Sequence, residues 1–139
     1  MARSIREVMT DRLITMPADA TVVEAGKAMR ENDIGDVVVL EGERFSGLVT
    51  DRDIVVRAIA DGKDPSTTQI RDVTTTGVQT LTPDSTVEDA VGIMRGAAVR
   101  RIPVLDGDRP IGIVSIGDLA MQEDEGSALA DISEAPPND

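Results

Sequence analysis

Sliding the chain against itself by 65 positions lays residues 5–54 on residues 70–119 without a gap. Identical pairs along that register include Ile5/Ile70, Val8/Val73, Thr21/Thr86, Ala25/Ala90, Met29/Met94, Val39/Val104, Gly47/Gly112 and Asp53/Asp118. A register held over that span is a duplication, so the chain must fold as two copies of one supersecondary unit. The clearest repeated phrase is GLVTDRDIV, beginning at Gly47, which returns as GIVSIGDLA, beginning at Gly112.

Each copy reads the same way. Thr21-Val22-Val23-Glu24 and Thr86-Val87-Glu88-Asp89 place a hydroxyl at a helix N-cap with a carboxylate three residues on. The helices that follow carry apolar residues on one face: Val22, Ala25 and Met29 in one, Val87, Ala90, Val91 and Met94 in the other. Apolar strands follow at 37–40 and 102–105, with turns on Gly42 and Gly107 and second strands ending at Thr50 and Ser115. Final helices are expected over 51–60 and 116–121. The fold class is therefore α+β, two (β)αββα repeats with pseudo-twofold symmetry. The expected boundaries are repeat 1 over 1–60, a linker rich in Gly, Pro, Ser and Thr over 61–69, repeat 2 over 70–121, and a tail over 122–139. A unit of ~60 residues is marginal alone, so the repeats are expected to pack together and share a core.

Composition narrows the chemistry. There is no Cys and no His, which removes disulfides, the usual zinc sites, thiol nucleophiles and imidazole catalysis, and no phosphate-loop motif is present. The chain is read as a non-enzyme. Its net charge is −12, and the tail from Gln122 holds six acids and no base, which leaves −6 on the body. An acidic body whose one aromatic residue is Phe45 argues against nucleic acid. The tail is too polar to order itself. No apolar run reaches the length of a membrane span and the N-terminus lacks a signal-peptide core, so a cytoplasmic protein is expected.

Two readings of the repeated phrase stay open. Thr50-x-x-Asp53 and Ser115-x-x-Asp118 follow a strand and open a helix, and helix capping alone explains both pairs, as it does Thr21/Glu24 and Thr86/Asp89. The other reading uses the same atoms for a ligand. A helix start suits a phosphate, and an Asp one turn in can accept hydrogen bonds from two vicinal ribose hydroxyls.

The two phrases of hydrophobic–x–x–Gly–hydrophobic–hydrophobic–(Ser/Thr)–x–x–Asp, with Arg100-Arg101-Ile102-Pro103-Val104 at a strand start, resemble a tandem pair of CBS domains, also called a Bateman module. The resemblance covers about residues 5–121. It implies an adenosyl ligand such as AMP, ATP or S-adenosylmethionine, held in a cleft between repeats. It also implies that the Asp phrase of one repeat works with the basic strand start of the other. A first site would then combine Thr50 and Asp53 with Arg100, Arg101 and Pro103. A second, weaker site would combine Ser115 and Asp118 with Gly35 and Asp36, where the acidic Asp36 opposes a phosphate. With so little aromatic surface the base is expected on aliphatic residues such as Met16, Leu81, Ile102 and Pro103.

The resulting expectation is a stand-alone sensor that passes ligand occupancy to a separate effector protein. It is expected to form a homodimer through the exposed face of the helix at 22–32 or of the helix at 51–60. The competing expectation is a ligand-independent interaction or stress-associated protein whose phrases are only caps.

Overall fold

The computed structural model describes residues 3–122. The acidic tail beyond that point lies outside the described residues.

The chain divides into two compact units, and they cut across the sequence repeats. Among the described residues, one unit is Leu13–Val78; the other joins residues 3–12 to residues 79–122. The leading segment of each repeat is therefore built into the unit that holds the other repeat's strands. Ile5 and Ile70, one from each leading segment, are fully buried.

In the unit Leu13–Val78, β1 (Thr15–Pro17) pairs parallel with β2 (Asp36–Glu41), which pairs antiparallel with β3 (Arg44–Thr50). Gly42 takes the turn between β2 and β3 at φ 65°, a backbone region costly to residues with a Cβ. The strands reach one residue closer to that turn than the apolar run alone suggests. Between β1 and β2 lies α1 (Val22–Asn32). Thr21 caps it, and the Thr21 backbone N–H and hydroxyl both donate to Glu24, which holds the Glu24 carboxyl below its usual range. Two further N–H groups of its first turn are used by the linker: Val22 donates to the Thr68 carbonyl at 2.9 Å and Val23 to that of Pro65 at 3.0 Å. The residues expected to be a plain tether thus satisfy a helix start.

The apolar face of α1, Val22, Ala25 and Met29, packs with Val37, Val39 and Val49 of the sheet, and Ile70 and Val73 complete the cluster. The other unit repeats the plan with α3 (Val87–Ala97), β4 (Arg101–Asp106), β5 (Arg109–Ser115) and α4 (Ile116–Gln122). Its own cluster comprises Val87, Ala90, Met94, Ile102, Val104, Val114 and Leu119, together with Ile5 and Val8. Each unit thus has its own core, and each core takes residues from both repeats. The first strand of the second repeat is reduced to a parallel bridge, Leu81 to Val104. Both hairpins slip register at the same repeat position, Val39/Leu40 and Val104/Leu105.

The segment expected to be one α-helix over 51–60 is more particular. It has one α-turn, α2 (Asp51–Asp53), and then π-helix over Ile54–Ile59, with Ala60 N–H donating to the Val55 carbonyl at 2.9 Å. Ile54, Val55, Val56 and Ile59 are β-branched, a class with slightly lowered α-helix propensity. Ala58 is buried in the core, while Val55, Val56 and Ile59 are 58%, 46% and 53% exposed. Among the described residues no helix is long and apolar enough to cross a membrane.

Candidate functional site

β3 delivers Thr50 to the start of α2, and the pair Thr50/Asp53 forms a complete capping box. The Asp53 N–H donates to Thr50 Oγ1 at 3.0 Å, and the Thr50 N–H donates to Asp53 Oδ2 at 2.9 Å. At the start of α4 the Asp118 N–H donates to Ser115 Oγ at 3.0 Å and the Ser115 N–H to Asp118 Oδ2 at 3.0 Å. Capping is therefore real in both phrases, as it is at Thr21/Glu24 and Thr86/Asp89.

What separates the two phrases from ordinary caps is a second hydroxyl, which the sequence reading missed. Thr75 Oγ1 donates toward both oxygens of Asp53, at 3.3 Å each, and Arg57 Nε lies 3.7 Å from Asp53 Oδ1. In the other unit Thr10 Oγ1 lies 3.5 Å from Asp118 Oδ2. Thr10 and Thr75 are themselves equivalent in the 65-residue register. Their identity was visible, but their partner belongs to the other repeat, so spacing within one repeat gave no sign of the contact. Asp53 is 9% exposed, and Asp118 is half-buried.

The glycine of each phrase makes this approach possible. Leu48 and Thr75 form an antiparallel bridge, with Thr75 N–H to the Leu48 carbonyl at 2.9 Å and Leu48 N–H to the Thr75 carbonyl at 3.2 Å. A Cβ on Gly47 would overlap the Thr75 carbonyl oxygen and the Thr74 methyl. Thr10 bridges to Ile113 in the same way, and a Cβ on Gly112 would press on Met9 and the Thr10 carbonyl.

The remaining expected site residues fall into place within their own units. Asp36 lies directly opposite Thr50 in the β2–β3 ladder, and the Asp51 N–H donates to the Gly35 carbonyl at 3.0 Å. Arg101 lies directly opposite Ser115 in the β4–β5 ladder, and the Ile116 N–H donates to the Arg100 carbonyl at 2.9 Å. Thr50 and Asp53 thus sit in one unit with Gly35 and Asp36, and Ser115 and Asp118 in the other with Arg100, Arg101 and Pro103. Asp106 lies 3.7 Å from Arg109. The expected base-binding set does not survive intact. Leu81 and Ile102 are core residues, 4% and 0% exposed, with no surface to offer a base, and Pro103 is buried.

Two strand–turn–strand–capped-helix units carrying these phrases now have a match. A profile of the CBS domain fits residues 5–59 and 70–123. The chain belongs to the CBS-domain family. Among its relatives is the CBS domain-containing protein YhcV of Bacillus subtilis, 35% identical over 134 residues, which cover 94% of this chain and 95% of that protein. Hypoxic response protein 1 of Mycobacterium tuberculosis is 30% identical over 116 residues, 83% of this chain and 81% of the relative. The solved hexameric CBS-CP12 protein from bloom-forming cyanobacteria is similar at a TM-score of 0.76 and 28% identity, covering 99% of this chain and 77% of that one. A tandem CBS pair is typically a regulatory or sensor element rather than a catalytic one.

Proposed function

We propose that this CBS pair is a sensor for an adenosyl ligand of the AMP, ATP or S-adenosylmethionine class, and that Asp53 accepts the ribose diol. The observation that carries the reading is that Asp53 is held in a fixed direction by its own helix start before any ligand arrives, so little ordering is left to oppose binding. Thr50 lies beside it, and Arg100 and Arg101 supply cationic charge. Asp118, with Ser115, Gly35 and Asp36, forms the weaker site, because Asp36 repels a phosphate. Occupancy is read by a separate effector protein, and the chain self-associates.

One observation favours a second reading. Arg101 lies opposite Ser115 in the same ladder, so the basic pair could serve Asp118 within a single unit. Double-mutant cycles on ligand affinity decide between the two, using Asp53→Asn or Asp118→Asn, each combined with Arg100→Ala. The first reading expects coupling of about 1 kcal/mol or more between Asp53 and Arg100 and none between Asp118 and Arg100; the reverse pattern moves the ligand to Asp118.

A further inference from the structure

Asp53 is engaged by its own chain on both oxygens. A carboxylate has two acceptor positions on each oxygen. On Oδ2 the Thr50 N–H takes one, at 2.9 Å, and the Thr75 hydroxyl approaches the other, at 3.3 Å. The Thr50 bond cannot be released without opening half of the capping box at α2. The Thr75 bond can, because a hydroxyl rotates while its backbone stays fixed by the Leu48 bridge. Oδ1 is approached by Arg57 Nε at 3.7 Å and by the same Thr75 hydroxyl at 3.3 Å.

We infer that the Thr75 hydroxyl is an internal competitor for the ribose diol. This rests on the reading of Asp53 as the ribose acceptor. A diol that donates to both oxygens needs the Oδ2 position that the Thr75 hydroxyl shares, so Thr75 must give up Oδ2 as the ligand enters. In the ligand-free chain the hydroxyl stabilises a carboxylate that is only 9% exposed. The leading segment of the second repeat therefore sets the affinity of the first repeat's phrase. At Asp118 the equivalent hydroxyl, Thr10, stands further off at 3.5 Å and reaches Oδ2 alone, so the competition there is weaker.

The test is the near-isosteric Thr75→Val in the full chain, titrated by calorimetry with AMP, ATP and S-adenosylmethionine. 2′-Deoxy-AMP and 2′-deoxy-ATP serve as ligands that lack one hydroxyl of the diol. Loss of one hydrogen bond to a carboxylate should lower the melting temperature of the ligand-free protein. It should also tighten binding of the diol ligands by roughly threefold to tenfold. The deoxy ligands, which need only one carboxylate oxygen, should gain little, and Thr10→Val should change affinity by less than about twofold. Equal or weaker binding by Thr75→Val, or equal tightening for the deoxy ligands, overturns the competition while leaving Asp53 as a ribose acceptor. Failure of the wild-type protein to bind any of the three diol ligands overturns both. Should Thr75→Val not fold, the Thr75 methyl resonance of the wild-type protein gives the answer: it shifts on saturation with ATP if the side chain is displaced, and stays in place if the inference is wrong.

Discussion

At the scale of single residues, the repeated phrase is a receiving surface as much as a cap. Gly47 has to be glycine because the Thr75 carbonyl oxygen lies where its Cβ would go, and a backbone atom cannot swing aside. Gly112 faces first the flexible side chain of Met9. Gly47→Ala should therefore cost about 2–3 kcal/mol and Gly112→Ala about 1 kcal/mol in urea unfolding; equal costs would mean the two approaches are alike. Ala98 gives the opposite case. It ends α3 at φ 55°, a left-handed position that penalises a Cβ, so Ala98→Gly should raise stability by about 1 kcal/mol. The sequence identified Asp53 and Asp118 and the caps they make. It did not reveal Thr75 or Thr10, because each contact joins a leading segment to the phrase of the opposite repeat.

At the scale of elements, helices and strands followed from periodicity and caps. Val22, Ala25 and Met29 keep a helical spacing and form a buried face. The segment after Asp53 also looked helical, and it is helical with the wider π-helix turn over Ile54–Ile59. That stretch holds the large apolar side chains Val55, Val56 and Ile59, all well exposed, on an element already expected to carry a dimer contact. The matching positions of the second repeat begin Ala120, Met121, so the two repeats do not offer the same face. If Val55, Val56 and Ile59 are the contact, Val56→Glu should convert an oligomer to a monomer in light scattering without lowering helix content. An unchanged mass would place self-association elsewhere.

At the scale of the whole molecule, the duplication was fully legible in the sequence, and the way it is partitioned was not. Register alone puts residues 5–54 and 70–119 in separate repeats, whereas the compact units exchange their leading segments. The reason lies in Ile70 and Val73, which complete the core of the unit Leu13–Val78, and in Ile5 and Val8, which do the same for the other. A fragment of residues 13–78 should therefore give a cooperative melt. A fragment of residues 1–60, which lacks Ile70 and Val73, should not. Cooperative melting of 1–60 would show that the leading segments are dispensable.

The central claim is that this CBS pair binds an adenosyl ligand through Asp53. Asparagine at that position retains an oxygen to accept the Thr50 N–H but loses the carboxylate charge and an acceptor, so it separates binding from folding. The direct measurement is a calorimetric titration of the wild-type protein, Asp53→Asn and Asp118→Asn with AMP, ATP and S-adenosylmethionine, with stoichiometry per chain. The account predicts saturable binding of at least one of these by the wild-type protein. Affinity should fall about tenfold or more in Asp53→Asn and be largely kept in Asp118→Asn. Absence of binding by the folded wild-type protein, or full affinity in Asp53→Asn, would contradict it.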